Sequence, residues 1–399
     1  MSMRAVVVSC VFPPEPMVSS RTSFDVAREL AARGHDVTVL APFPNRPAGR
    51  VYEGYRRAPF RRERAPEGFR IVRCGALISR RSSLLSRLGE NVSFGITSSI
   101  ALLLRRKPAV IYANTWPIFA AAMTSIVARL RRIPLVISVQ DIYPESLQSQ
   151  RRAGSGLLAR ALLAIDRRIV RRAAAVIVIS ERFAELYRRT RGAERVHVIP
   201  NWLDDETLDD TGAAARDAGA PFLLVYGGNV SVSASVESVI EAVGKVPDVH
   251  LLIAGEGSSL EQCRRLAAAV APERIRFHSP WTATMGVLRA ADVLVLPTRA
   301  EQSFVSVPSK LISYLLAGRP VVAAAMDDSD TAAAVRASGA GVVVPPDDTQ
   351  ALAAAIRAMR GRSPEERQRM GAAGRAWALA NMTREVCLPR LIAVIEEQG

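Results

Sequence analysis

Lysine is scarce in this chain. Of 53 basic side chains, only Lys107, Lys245 and Lys310 are lysine. Cysteine is equally thin. Cys10, Cys74, Cys263 and Cys387 stand far apart and form no C-x-x-C pair, so reduced structural thiols in a cytoplasmic protein are expected. His35, His197, His250 and His278 are as scattered, and no metal-ligand spacing emerges. No run approaches the ~20 apolar residues that cross a bilayer as a helix. The opening MSMRAVVVSCVFPPEP has too short an apolar run for a secretory signal and reads as a buried first strand. The basic segments Arg80–Lys107 and Arg151–Ala175 lack interleaved aromatics and no recognisable nucleic-acid-binding motif occurs, which argues against nucleic acid as a partner. No dinucleotide fingerprint follows the first strand, which argues against a nicotinamide-dependent oxidoreductase.

What the chain has is charge, unevenly placed. Residues 1–200 hold 34 basic and 14 acidic side chains, and residues 201–399 hold 19 and 24, within a total of +15. A basic half joined to a slightly acidic one implies that one domain faces a polyanion. Two segments stand out there: RRSSLLSRLGENVSFGITSSIALLLRRK (Arg80 to Lys107) and RRAGSGLLARALLAIDRRIVRRAAA (Arg151 to Ala175). Each interrupts apolar residues with paired arginines. Each reads either as a helix with an arginine-rich solvent face or as a surface docking on anionic lipid.

Apolar runs alternate with amphipathic stretches throughout, the pattern of an α/β protein with parallel sheets. Strands are expected at Ala5–Val11, Asp36–Leu40, Ile71–Cys74, Val110–Tyr112, Leu135–Val139, Ala175–Ile179 and Val196–Ile199. Between the first two, after the loop FPPEPMVSSR, a helix should carry Phe24, Ala27, Leu30 and Ala31 on one face. The acidic, turn-rich stretch from Pro200 to Pro221 then breaks the rhythm and reads as a linker. A second series follows: Phe222–Tyr226, Val249–Ala254, Ile275–His278, Val293–Leu296, Val321–Ala324 and Gly341–Val344. Two doubly wound Rossmann-like domains are therefore expected, at 1–200 and 221–380, with 201–220 between them. Tandem domains of this kind would face a central ligand cleft.

Three loops of the second series could hold an anion. GGNVSVSAS follows one strand with Gly227, Gly228 and Asn229, and GEGSSLE follows the next with Gly255, Glu256 and Gly257. Glycines let a backbone approach a ligand, and helix N-termini favour anions, yet each loop is equally read as a tight turn. VPSKLISYLLAG is better defined. Ser309 suits an N-cap, which leaves Lys310 in the first turn of a helix ended by Gly318. The helix dipole disfavours a cation there by roughly 0.3–1 kcal/mol. A negative ligand against Lys310 would remove that cost, and a diphosphate is the reading adopted over a solvated lysine.

The motifs ADVLVLPTRAEQSF…PSKLISYLLAGRPVVAA, LLIAGEGSSLE, YGGNVS, VIPNWLD and GAGVVVPPDDTQALAAAI, in this order, resemble the retaining GT-B glycosyltransferases of glycosyltransferase family 4. With FPPEP, RGHDVTVLAPFPNRPAGRVYEGYRR and SVQDIYPESL of the first half, the chain looks like the bacterial subgroup that builds exopolysaccharide and O-antigen, fucosyl and N-acetylfucosaminyl transferases included. The resemblance implies that the second domain binds a nucleotide-sugar and the first an acceptor. Gly227, Gly228 and Asn229 would then lie against the diphosphate, with Ser309 and Lys310 at its phosphate end. Gly255, Glu256 and Gly257 would lie deeper in the donor cleft, with Pro280 and Trp281 near the base. Asp141 and Glu145 of QDIYPES would orient the acceptor hydroxyl or take its proton, unless they serve as a strand-end cap and an arginine partner. Glu15 of FPPEP has the same two readings.

One pattern departs from the family. Its paired glutamates fall here on Val305 and Ser313, and Glu301 lies four residues before the first. Ser313 implies altered ribose contacts, and Glu301 is the substitute within reach of a loop shift. The resemblance implies a hexosyltransferase-type enzyme, retaining and metal-independent, with a nucleotide-sugar as co-substrate and no cofactor. Its acceptor would be a lipid-linked saccharide at the inner face of the cytoplasmic membrane, where the protein would sit peripherally. A last helix within 381–399 would cross back to the first domain. The alternative is a catalytically silent nucleotide-sugar or polysaccharide-binding subunit of an assembly complex.

Overall fold

The computed structural model describes residues 2–46, 49–79, 84–114, 118–142, 156–203, 219–278, 285–302 and 309–399. Its first sheet grows from β-branched runs that tolerate cover on both faces. In chain order its strands are β1 (Arg4–Ser9), β2 (Asp36–Pro42), β3 (Phe60–Arg64), β4 (Arg70–Cys74), β5 (Val110–Asn114), β6 (Leu135–Val139), β7 (Ala175–Val178) and β8 (Val196–Val198). They lie in the order β3-β4-β2-β1-β5-β6-β7-β8. Every pairing is parallel except β3 with β4. The order reverses at β1, between β2 and β5, and there the carboxyl ends open.

Two elements differ from expectation. β3, with the sequence FRRER, is an antiparallel edge strand that apolar alternation does not reveal, because only Glu63 of it is even partly covered. The first helix starts at Val18, inside the stretch expected to be loop, and runs to Ala32. Its early turns bury Ser20, Thr22, Ser23 and Asp25, so polar residues occupy the face that periodicity expects to be apolar. Hydrogen bonds offset this burial at Thr22, Ser23 and Asp25, while the Ser20 hydroxyl has no partner among the described residues. The Ser23 hydroxyl meets Ser9 Oγ at 2.8 Å, and Asn114 Nδ2 donates to Ser23 Oγ at 2.8 Å.

The second sheet contains β9 (Phe222–Gly227), β10 (Val249–Ala254), β11 (Ile275–His278), β12 (Val293–Pro297), β13 (Val321–Ala324) and β14 (Gly341–Val344). They run parallel in the order β11-β10-β9-β12-β13-β14. Alternate residues of its strands feed two cores. Leu224, Leu251, Ile253, Val293 and Val295 pack with the helices Val236–Gly244, Leu260–Val270 and Thr349–Gly361. Val225, Leu294, Leu296, Val321 and Ala323 pack with Ser309–Leu316 and Asp330–Ser338 on the other side. Both faces are covered, so this sheet is doubly wound. Its order reverses between β9 and β12.

The chain divides into two compact units, one of Met1–Asn201 with Cys387–Gly399, the other of Trp202–Val386. The helix Arg384–Glu396 begins in the second and ends in the first. Within the first unit His35 Nε2 lies 3.0 Å from Glu396, Arg33 bonds the same carboxylate at 3.1 Å, and Arg390 donates to the Val198 carbonyl at 2.9 Å.

Candidate functional site

The end of β9 is held by two tyrosines. Tyr314, fully buried on the Ser309–Leu316 helix, accepts from Gly227 N at 2.7 Å and donates to Gly227 O at 3.1 Å. Tyr226 donates to the Asn229 carbonyl at 2.6 Å. Lys310 stands one helical turn before Tyr314, so both side chains reach the same strand end. The Lys310 ammonium donates to Tyr226 Oη at 2.7 Å and lies 4.6 Å from that ring's centroid. Burial lowers its pKa to about 8. Burial likewise raises both tyrosine hydroxyls, which stay protonated donors.

The helix starts at Ser309 itself, not after it, so Lys310 is its second residue. Ser309 remains exposed in the first turn. Gly318 ends the helix with φ +71°. Ser313, partly buried, donates its hydroxyl back to the Lys310 carbonyl at 3.0 Å. Glu301 is exposed in a short turn, Ala300–Gln302, beyond the carboxyl end of β12.

The two glycine loops are laid against each other. Gly228 N donates to Ala254 O at 2.9 Å, Val230 N to Glu256 O at 2.7 Å, and Ser259 N to Val230 O at 3.0 Å. A Cβ on Gly255 would stand 1.9 Å from the Gly228 oxygen, and one on Gly257 2.1 Å from the Val230 oxygen. These two positions require glycine for the approach of backbone to backbone. At Gly228 a Cβ would meet Lys310 Cε at 3.2 Å. Asn229 and Glu256 are exposed on the rim. Gly255→Ala should therefore part the loops, costing about 1–3 kcal/mol of stability. Thermal unfolding of the variant checks this loss.

In the first unit, Asp141 follows the carboxyl end of β6, and burial raises its pKa to about 6. It lines a cavity of about 40 Å³ with Ser138, Gln140, Asp166 and Tyr187. Glu145, Pro280 and Trp281 lie outside the described residues, as do Arg80 and Arg81. Glu15 serves as a tie between loops: its carboxylate accepts from Phe12 N at 3.1 Å and from Asn45 N and Arg46 N at 2.9 Å each.

Sequence reasoning passes over several structural residues. Arg73 is 1% exposed on β4 and holds the carbonyls of Pro13 and Pro42 at 2.7 and 3.3 Å. Arg191 is buried against Asp166 at 2.9 Å. Arg299 donates to the Val232 carbonyl at 2.6 Å and pairs with Asp347 at 3.5 Å, tying the loop after β12 to the loop after β9. A usable signal exists only for the tyrosines: Tyr226 is a hydroxyl in an otherwise apolar strand, and Tyr314 sits at i+4 from Lys310.

Residues 19–202 match the glycosyl transferase 4-like domain, and residues 221–360 match the glycosyl transferases group 1 domain. WcaI of Escherichia coli K12, named for glycosyl transfer in colanic acid biosynthesis, is 25% identical over 375 residues, covering 89% of this chain and 91% of that one. Sucrose-phosphate synthase of Thermosynechococcus elongatus superposes with a TM-score of 0.74 at 19% identity, covering 99% of this chain and 98% of that one. The UDP-glucose complex of Anabaena HepE superposes with a TM-score of 0.66 at 16% identity, covering 99% and 100%. With these two domains in succession, each on its own parallel α/β sheet, the chain is a glycosyltransferase of GT-B architecture, joining a family 4-like domain to a group 1 domain.

Proposed function

We propose that this protein transfers a sugar from a nucleotide-sugar to a lipid-linked saccharide during exopolysaccharide or lipopolysaccharide O-antigen assembly, with retention and without a metal. One observation carries the reading: Lys310, the Gly228–Asn229 backbone and the first turn of the Ser309–Leu316 helix converge where the second sheet reverses. An ammonium and the N–H groups of a helix's first turn at such an edge suit a diphosphate. Negative charge grows on the diphosphate as the sugar leaves, and donors already in position stabilise it more in the transition state than in the ground state. The UDP-glucose complex of HepE supports a nucleotide-sugar donor, and the likeness to WcaI supports exopolysaccharide assembly. The basic first half, with Leu104 and Leu130 exposed beside Arg105 and Arg131, supports an acceptor at an anionic membrane surface. No helix among the described residues is long and apolar enough to cross that membrane.

Asp141 is the acceptor-side base in this reading. With its pKa near 6, it holds a proton below that pH and accepts one above it. Transfer should fall about tenfold per pH unit below 6, and Asp141→Asn should abolish this limb; a rate profile between pH 5 and 8 checks it. A second reading, a silent binding subunit, is favoured by the Ser313 hydroxyl being turned to its own helix. Turnover with a panel of nucleotide-sugars and membrane extracts separates the two. Sugar transfer supports the enzyme, whereas nucleotide-sugar binding without transfer or hydrolysis sinks it.

A further inference from the structure

The amino-terminal edge of the first sheet holds a second cationic site, remote along the strands from Asp141. Residues paired in register share a face of a sheet. Arg4 pairs with Asp36, Thr38 with Arg70, Arg64 with Arg70, and Arg62 with Val72. One face at this edge therefore carries Arg4, Arg62, Arg64 and Arg70, with Asp36 as its carboxylate. The turn after the helix Leu84–Leu103 brings Arg105 and Arg106 over the same face. Together they enclose a pocket of about 310 Å³ lined by Arg4, Asp36, Thr38, Arg70, Arg105 and Arg106.

The charges in this pocket do not balance. Asp36 is already paired with Arg70. Arg105 is fixed in the wall by donating Nη1 to Thr38 Oγ1 at 2.9 Å. Burial lowers its pKa, and the nearby Arg70 and Arg62 lower it further. Arg4 and Arg106 have no side-chain partner among the described residues. Like charges held this close in a partly buried site repel, and an anion between them turns that repulsion into attraction. The planar guanidinium fork matches phosphate oxygens in pairs, where a lysine would offer only a point charge. The pocket's size suits a small phosphate group, not a polymer backbone.

We propose that this pocket binds a phosphate group, held by Arg4, Arg70, Arg105 and Arg106, and that it works independently of the sugar-transfer site. The group could belong to a soluble phosphate or to a lipid headgroup. Inorganic pyrophosphate is the probe, titrated by calorimetry into the full-length Lys310→Ala chain, in which the proposed donor contact is absent. Binding is expected there, weakened at least tenfold by adding Arg4→Gln and Arg106→Gln, with thermal unfolding unchanged. Pyrophosphate affinity unaltered by those two replacements, or no binding to the Lys310→Ala chain, overturns the proposal. Flotation with phosphatidylglycerol–phosphatidylcholine vesicles then identifies the source. A headgroup site predicts that pyrophosphate displaces the protein from vesicles and that the arginine replacements release it. A soluble-phosphate site predicts lost pyrophosphate binding with flotation unaltered.

Discussion

Replacing Lys310 by alanine is expected to lower the transfer rate by about 10²–10³, the usual effect of removing one donor that faces developing charge. Donor diphosphate affinity should fall at least tenfold in the same variant, while folding is nearly untouched. The side chain is only partly buried, and Tyr226 keeps its own bond to the Asn229 carbonyl when the ammonium is gone. The effect should also depend on pH. With a free pKa of about 8, Lys310 is charged at neutral pH. A bound diphosphate raises that pKa, so binding above pH 8 must take up a proton. Donor affinity is therefore flat below pH 8 and about tenfold weaker at pH 9 than at pH 7. Calorimetry with a nucleoside diphosphate across that range checks the sign. A pH-independent affinity, or Lys310→Ala binding as tightly as the parent, removes Lys310 from the site.

Arg73→Ala should produce the largest loss of stability in the first unit, about 3–5 kcal/mol. Its guanidinium pairs with Glu63 at 3.1 Å and donates to the Pro13 and Pro42 carbonyls, so it joins the loop after β1 and the end of β2 to the edge strand β3. It also lies over the rings of Phe12 and Tyr55, 5.7 and 5.4 Å from their centroids. Truncation leaves the partly covered Glu63 without this partner, two carbonyls without their donor, and a cavity between the rings. The first unit's unfolding transition should drop by roughly 10 °C in calorimetry, from the usual few degrees per kcal/mol for a unit of this size. Arg73→Lys should restore little, since one ammonium cannot reach all three partners in their fixed directions. A shift of only a degree or two would show that the network contributes little.

Both sheets could be read from the sequence because parallel strands covered on two faces must be apolar at nearly every position. Runs such as VHLLIA and VLVL say so without ambiguity. Lys310 was also legible, as a rare lysine placed against a helix dipole. β3 escaped notice because an exposed edge strand needs no apolar pattern, and the first turns of the Val18–Ala32 helix escaped because their buried face is polar. Ser23 meets Ser9 and Asn114 there only after β1 and β5 are side by side. The sequence reads Gly255 and Gly257 as ligand-facing; what it does not show is that each makes room for a neighbouring backbone oxygen from a loop about 27 residues earlier in the chain.

Local periodicity and composition, properties of neighbouring residues, determined every strand but β3, the two-part organisation and the one suspicious lysine. The tertiary structure alone decided what that lysine touches and why Arg73 is buried. It also decided which arginines gather at one sheet edge. Each of these depends on side chains distant in sequence meeting in a low-dielectric setting, where charge and hydrogen-bond partners carry far more weight than they do along the chain.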